Sequence, residues 1–227
     1  MTPAENLVAL LVAKAVEPAL AARLGRYGAL VLQANRTTNL TAARDEQAFV
    51  EHLLDALTLT NDVCGPLIDI GSGAGLPGIP LAIATGQPVV LVESVKKKAA
   101  FLERALQELQ LSGEVLAIRA ERLGSDPAFR ERFFCATARA VASAPTVAEL
   151  TVPFLAIGGW ALLQRGTIDE RERRAVMDAA PMLGAEFVEE RRLGGERRLL
   201  LLQKRVPTQL RFPRRDGIPE KRPLCFS

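Results

Sequence analysis

Apolar residues recur at helical spacing through the first sixty positions of the chain. The pattern predicts helices at residues 7–16, 18–31 and 45–57. Pro18 is placed to open the second helix and Asp45 to cap the third, because proline fits a first helical turn and a short acid accepts from the free N–H groups there. The polar run 33–41 separates these two helices. We therefore expect residues 1–60 to form an N-terminal helical extension packed on the core.

From residue 67 onward, short apolar runs alternate with amphipathic ones. The apolar runs predict strands at residues 67–70, 88–92, 115–118, 133–137 and 159–163, and the amphipathic stretches predict helices at 96–109, 146–155 and 169–183. Apolar strands alternating with helices are typical of a parallel sheet covered on both faces. Residues 186–191 and 197–203 flank Gly194 and Gly195, which predicts a closing antiparallel hairpin.

A glycine-rich loop directly follows the first predicted strand. It contains Gly71, Gly73 and Gly75 and leads to prolines at the start of a predicted helix. Such a strand, loop and helix start form the nucleotide-binding edge of a doubly wound sheet. Counted from Gly73, the glycines fit the dinucleotide fingerprint GxGxxG. Counted from Gly71, they fit the GxGxG of S-adenosylmethionine (SAM) methyltransferases. The second register is favoured because Gly71 closes the strand and Leu76 occupies the place of a third dinucleotide glycine.

An acid ends the second predicted strand. Glu93 follows residues 88–92, and an acid at this place accepts hydrogen bonds from ribose hydroxyls. SAM and the nicotinamide cofactors both carry a ribose, so Glu93 predicts a nucleoside cofactor without choosing between them. The closing hairpin is expected of a methyltransferase sheet. We therefore predict an α/β fold with a Rossmann-like SAM-dependent methyltransferase sheet, mostly parallel, behind the N-terminal helical extension.

Composition narrows the class of protein without changing the fold. The 227 residues, 48% of them apolar, suffice for one α/β domain with a small extension. Cys64, Cys135 and Cys225 show no disulfide or metal-ligand spacing, which favours a reducing cytosol and a core role for Cys135. His52 is the single histidine, so no metal site is predicted. No apolar run reaches the length of a membrane span, and we expect a cytoplasmic protein, with a monomer as the default.

Basic residues concentrate in places where a nucleic acid would be contacted. Lys96 and Lys97 begin the helix after Glu93, and Arg165 follows the fifth strand. We expect residues 61–207 to form the SAM-binding domain and residues 208–227 to form a basic C-terminal tail. The candidate phosphate contacts of this tail are Arg211, Arg214, Arg215, Lys221 and Arg222. The net charge of +3 by itself argues only weakly for a nucleic-acid partner.

From about Asn35 to its C-terminus the chain resembles the bacterial 16S rRNA guanine-7-N methyltransferases, the glucose-inhibited division protein B family. The resemblance rests on several short motifs, which are Asn39-Leu40-Thr41, His52 to Asp55, Asp69 to Pro80, Arg139-Ala140-Val141-Ala142-Ser143, Phe212 to Arg215 and Lys221 to Leu224. It implies a SAM-dependent enzyme whose partner is 16S rRNA, a small ribosomal subunit or an assembly intermediate.

The resemblance also implies roles for individual residues. Gly71 and Leu76 would contact the cofactor, Glu93 its ribose, Ala120 and Glu121 its adenine end, while Arg139 would line the site. The family often has a lysine before the glycine that follows the fifth strand, where this chain has Arg165.

The expected chemistry needs no catalytic base. Nitrogen 7 of guanine has a free lone pair, so the enzyme mainly has to align donor and acceptor. The chain lacks the Asn/Asp-Pro-Pro-aromatic motif of amine methylases after the fourth strand, where it has Ala138-Arg139-Ala140, and it has no Pro-Cys nucleophile pair. We assign no acid or base. The alternatives are a nicotinamide-dependent oxidoreductase and a non-catalytic RNA-binding module.

Overall fold

The computed structural model describes residues 1–139 and 141–226. Ala140, part of the motif after the fourth strand, lies outside the described residues. The chain begins with three helices, α1 (Pro3–Ala13), α2 (Pro18–Thr38) and α3 (Glu46–Leu57). The side chains of Thr2, Glu17 and Asp45 cap them by accepting from backbone N–H groups of the first turn. The predicted helical extension is thus present in the structure.

Alternating strands and helices follow, as the apolar pattern predicts. In chain order they are β1 (Leu67–Ile70), α4 (Gly78–Thr85), β2 (Val89–Val92), α5 (Lys96–Glu108), β3 (Gly113–Leu116), α6 (Ala120–Leu123), β4 (Phe133–Arg139), α7 (Ala144–Thr151), β5 (Leu155–Arg165), α8 (Glu170–Met182), β6 (Ala185–Gly194), β7 (Arg197–Lys204) and α9 (Ile218–Lys221).

Among the described residues the strands form one seven-stranded sheet in the order β3-β2-β1-β4-β5-β7-β6. The first five strands are parallel, while β7 pairs antiparallel with both β5 and β6. The predicted α/β sheet with its closing hairpin is confirmed. The chain order reverses beside β1, so β1 and β4 flank the switch point where open α/β sheets bind their ligands.

Several predicted boundaries are wrong, among them the end of the second helix, which continues to Thr38 through most of the polar run. Three others have identifiable reasons. β3 starts at Gly113 instead of Val115, because Gly113 pairs with Val89 where a Cβ atom would meet the Val89 carbonyl oxygen at 2.2 Å. β5 starts at Leu155 instead of Gly159, with a register irregularity between Phe133 and Cys135 on its neighbour. α7 ends at Thr151 because Pro153 continues the chain as a 3₁₀ turn.

The sheet has an apolar core on each face. On one face, buried side chains of α1 to α5 pack together, among them Leu24, Phe49 and Leu102. On the other face, side chains of α6 to α8 pack with Phe212 and Leu224 from the C-terminal segment. Cys135 is fully buried, and burial raises the pKa of its thiol to about 12, which fits the predicted core role.

Residues 208–227 were expected to form a basic tail, and the described part of this segment packs on the folded core. The guanidinium of Arg130 donates to the carbonyl oxygens of Thr208 and Phe212 at 2.7 and 2.8 Å. Arg214 pairs at 2.6 Å with Glu149, which is fully buried. Phe212 and Leu224 supply apolar anchors that the count of charges in the sequence conceals. The segment is therefore part of the folded structure.

Candidate cofactor site at the carboxyl edge of the sheet

The glycine loop makes a tight turn between β1 and α4. Gly71, Gly73 and Gly75 all have positive φ values, of 70°, 58° and 98°, which side chains disfavour. A Cβ atom at Gly71 would lie 2.7 Å from a Val141 methyl carbon. The loop backbone can therefore approach a ligand where a larger residue would interfere. Such a cradle fits the close backbone approach of a nucleoside cofactor.

Tyr27 of α2 holds the loop from the N-terminal side. Its hydroxyl donates to the Ala74 carbonyl oxygen at 2.9 Å, and its ring packs against Phe49 at 5.9 Å between centroids. Phe49 in turn meets the His52 ring edge to face at 6.2 Å. The helical extension thus supports the candidate cofactor loop directly. No motif in the sequence points to this role of Tyr27, because a single tyrosine on a helical face gives no sign of a partner in a distant loop.

Asp69 of β1 fixes the start of α4 from beneath the loop. Its fully buried carboxylate accepts from Thr137 Oγ1 at 3.0 Å and from the Gly78 N–H at 3.2 Å. Burial raises the pKa of Asp69 to about 6, against the lowering effect of these hydrogen bonds. The acid therefore organises the strand-to-helix turn and is sealed away from a ligand.

Glu93 lies behind the glycine loop, at the end of β2. It accepts from the Gly73 N–H at 3.0 Å and from the Val95 N–H at 2.8 Å. It also lines two neighbouring cavities, as does Gly71. Glu93 thus stabilises the loop and borders both cavities, which fits the ribose contact expected of it.

The first cavity has a volume of about 180 Å³, and we call it the adenine-side cavity because the resemblance implies that its residues Ala120 and Glu121 contact the adenine end of the cofactor. It is lined by apolar Ile118 and Leu150, by the predicted residues Ala120 and Glu121, and by Glu220 of the C-terminal segment. Glu121 accepts from Arg119 at 2.6 Å and from the Gly217 N–H at 2.9 Å. Burial alone would raise the pKa of Glu121, but these hydrogen bonds outweigh burial and lower it.

The second cavity, which we call the methyl-side cavity, has a volume of about 320 Å³. Its lining combines the glycine loop, including Leu76, with the segment 40–42, His52, Lys98 and Arg139. Asn35 fixes that segment, since its amide group donates to the Thr41 and Ala43 carbonyl oxygens and accepts from the Leu40 and Thr41 N–H groups. The Asn39-Leu40-Thr41 motif thus forms a cavity wall.

Arg139 and His52 both line the methyl-side cavity. Arg139 pairs with Asp55 of α3 at 3.2 Å, and both side chains are largely buried. Burial, and then the nearby Arg139 cation, lower the pKa of His52, so its imidazole is neutral at pH 7. His52 and Asp55 are one helical turn apart, which explains why the two occur together in one motif.

The predicted phosphate contacts fall into two groups. Lys96, Lys97, Arg211, Arg215, Lys221 and Arg222 are exposed. Arg165 and Arg214 are engaged within the fold, where Arg165 pairs with Glu172 at 2.7 Å and donates to the Ala142 carbonyl oxygen. The place of a family lysine is thus taken by an arginine in an internal ion pair. Among the described residues no cluster suits a metal ion, and no helix is long and apolar enough to cross a membrane.

Solved structures with this architecture include several methyltransferases. An O-methyltransferase family protein from Burkholderia thailandensis matches with a TM-score of 0.57 at 11% identity, over 82% of this chain and 60% of that one. Geranyl diphosphate C-methyltransferase from Streptomyces coelicolor, solved with S-adenosyl-L-homocysteine, matches with 0.56 at 14% identity, over 71% and 81%. Such low identities show the fold alone. The fold, together with the GxGxG loop and Glu93, is that of a SAM-dependent methyltransferase.

Sequence comparison identifies the particular family. The model of the family described as rRNA small subunit methyltransferase G (GidB) matches residues 20–201. Proteins named ribosomal RNA small subunit methyltransferase G match at 41% identity in Rubrobacter xylanophilus, over 86% of this chain and 81% of that one, and at 42% in Synechococcus elongatus, over 86% of both. The chain belongs to this family, which confirms the resemblance and excludes both alternatives, the nicotinamide-dependent oxidoreductase and the non-catalytic RNA-binding module.

Proposed function

We propose that the protein transfers the methyl group of SAM to nitrogen 7 of one guanosine in 16S rRNA, as a cytoplasmic monomer. One observation carries the choice of atom. Within the described residues, Glu93 is the carboxylate that lines the methyl-side cavity, and two backbone N–H groups engage it, while Asp55 is paired with Arg139. The described lining therefore offers no free carboxylate as a general base, and nitrogen 7 needs no base because its lone pair is free.

In this proposal the cofactor spans both cavities. We assign the adenine to the cavity with Ala120 and Glu121, the ribose to Glu93, and the methionine part to Gly71, Gly73 and Gly75 together with Leu76. When bound, SAM supplies an electrophilic methyl group on a positively charged sulfur. The chain itself holds the loop through Tyr27 and Asp69. In this proposal Arg139, a cation held by Asp55, lies beside the acceptor.

Catalysis in this proposal is mainly alignment. Arg139 is held by Asp55. The lowered pKa of His52 favours the neutral imidazole, which could accept a proton, but nitrogen 7 of guanine has a free lone pair and carries no proton to remove. A guanine base in the methyl-side cavity would lie against the neutral imidazole, with the guanidinium available to its oxygen 6 or to a phosphate. Holding two reactants in line lowers the barrier by removing the entropic cost of their encounter.

Methylation of 16S rRNA that lacks this modification tests the proposal. Purified protein with labelled SAM should label the RNA, either deproteinised or within the small subunit, and the comparison shows which of the two is the substrate. After borohydride reduction, aniline cleaves the RNA chain at a 7-methylguanosine. It does not cleave the chain at a guanosine methylated on its amine. Label without cleavage would refute the nitrogen 7 assignment, and calorimetric binding of NADH in place of SAM would refute the cofactor.

A further inference from the structure

The base must enter through the methyl-side cavity if the proposed cofactor orientation is correct, so the flanking RNA backbone must pass near the mouth of that cavity. Two exposed basic regions compete for this role. One is the C-terminal segment with Arg215 and Lys221, and the other is the surface between α2 and α5. They differ in which of the two cavities each region borders.

A groove of about 420 Å³ runs between α2 and α5, and we call it the α2–α5 groove. It is lined by Gln33, Ala34, Thr37, Thr38, Lys97, Ala100, Phe101 and Arg104. Its polar groups are thus hydroxyls, an amide and two cations, and no carboxylate contributes to its lining. These are the side chains that contact phosphate and sugar in protein–nucleic acid complexes.

The α2–α5 groove and the methyl-side cavity are lined by residues that are neighbours along the chain. Lys98 lines the cavity while the adjacent Lys97 lines the groove, and Thr38 lines the groove while Leu40 lines the cavity. Lys97 is exposed and has no ionic partner within the described part of the chain. Arg104 pairs only with exposed Glu108, at 3.0 Å, and such a surface pair is weak enough to yield to a phosphate.

The C-terminal segment borders the other cavity. Glu220 of this segment lines the adenine-side cavity, where Glu93 and Glu121 also contribute carboxylates. Asp216 pairs with Arg122 at 2.7 Å, and the Glu121 carboxylate holds the Gly217 N–H. These acids would repel an RNA phosphate. The contacts also hold the C-terminal segment in place beside the adenine-side cavity.

We propose that the α2–α5 groove, with Lys97 and Arg104, binds the rRNA phosphates that flank the target guanosine, and that the C-terminal segment closes the adenine end without contacting RNA. This proposal rests on the proposed function for the position of the acceptor. It adds to that function a defined path for the RNA backbone. Phosphate contacts of this kind position the substrate and carry no sequence information.

Two matched double substitutions test the groove against the segment. K97Q with R104Q removes one lysine and one arginine from the groove, and R215Q with K221Q removes the same charges from the segment. Binding of a labelled 16S rRNA fragment that contains the target guanosine is measured as a function of salt concentration. The slope of log affinity against log salt should fall by about 1.4 for the groove variant, from about 0.7 per single-strand phosphate, and remain unchanged for the segment variant.

Calorimetric titration with SAM serves as the folding control, and both variants should bind SAM as the wild type does. A slope that falls for the segment variant, or equally for both variants, would overturn the proposal. The readout is RNA binding, so it does not depend on methyl transfer. If the wild type bound RNA through the groove and failed to methylate it, the proposed function would be refuted while the surface assignment stood.

Discussion

The Arg139 guanidinium donates a hydrogen bond of 3.2 Å to the carboxylate of Asp55, which lies 84 positions earlier in the chain. The pair joins the end of β4 to α3, so it links the sheet to the N-terminal helices at the methyl-side cavity. Arg197 of β7 approaches the second oxygen of the same carboxylate at 3.6 Å, and the Gln164 amide donates to the Asp55 carbonyl oxygen at 2.8 Å. Asp55 therefore fixes where the Arg139 cation lies.

Removal of the Asp55 charge should slow methyl transfer through Arg139. We expect Asp55→Asn to raise the barrier to methyl transfer by about 1–3 kcal/mol, the scale of a hydrogen bond to a charged group. The single-turnover rate should fall accordingly. In an Arg139→Ala background the same substitution should have little further effect, because the two residues act as one unit. Asp62→Asn, which breaks a comparable pair with Arg191 at 2.9 Å outside both cavities, is the control. Multiplicative effects of Asp55→Asn and Arg139→Ala would contradict the coupling.

A methyl group at Gly71 should abolish SAM binding. Gly71→Ala places a Cβ atom 2.7 Å from Val141 at a positive φ, and it intrudes on both cavities. Gly65→Ala introduces the same backbone strain, at φ 78°, with no atom within 4 Å. Calorimetry should therefore show SAM binding lost in the first variant and kept in the second. Equal behaviour of the two would mean that only backbone strain matters.

Glu93 should contribute to affinity for the cofactor. We expect Glu93→Ala to weaken SAM binding by about 1–3 kcal/mol, since the substitution removes the ribose acceptor and frees the Gly73 N–H. Glu114→Ala, on the exposed start of β3, removes one carboxylate outside both cavities and serves as the control. An unchanged dissociation constant for SAM in isothermal titration of Glu93→Ala would show that Glu93 is only a charge at the end of a strand.

Two adjacent arginines of the C-terminal segment should differ sharply in their effect on stability. Arg214→Ala leaves the fully buried Glu149 carboxylate without its cation, a loss that costs about 3–5 kcal/mol of unfolding free energy. Arg215 is exposed, and Arg215→Ala should change stability by about 0.5 kcal/mol or less. Urea unfolding measures both. Similar midpoints for the two variants would show that the segment does not depend on this pair.

Asp69 should make stability depend on pH in an unusual direction. Burial raises the folded-state pKa of Asp69 to about 6, above its unfolded value of 3.8. Its contribution to stability is therefore fully present below pH 4 and is lost as the pH rises through 6, by about 3 kcal/mol. Relative to Asp69→Asn, the wild type should lose stability between pH 4 and pH 7 in denaturant unfolding. A constant difference across this range would contradict the raised pKa.

The sequence alone determined the succession of strands and helices along the chain, the closing hairpin, the glycine register and the acid at the end of β2. These features are local, because apolar periodicity and glycine spacing depend only on residues that are close together in the sequence. The sheet order and the placement of Glu93 behind the loop agree with them. The starts of β3 at Gly113 and of β5 at Leu155 were not predicted, because pairing with a neighbouring strand extends both strands there. A run of apolar residues does not reveal such pairing.

Only the tertiary structure decided which partners meet across the chain. It paired Arg139 with Asp55, Tyr27 with the Ala74 carbonyl group and Arg214 with Glu149, each across 47 residues or more. It also separated the basic residues into those engaged within the fold and those free to meet a phosphate, although the sequence shows them alike. Long-range pairing depends on packing between helices and sheet, and a charge in a sequence does not specify which opposite charge the fold will bring to it.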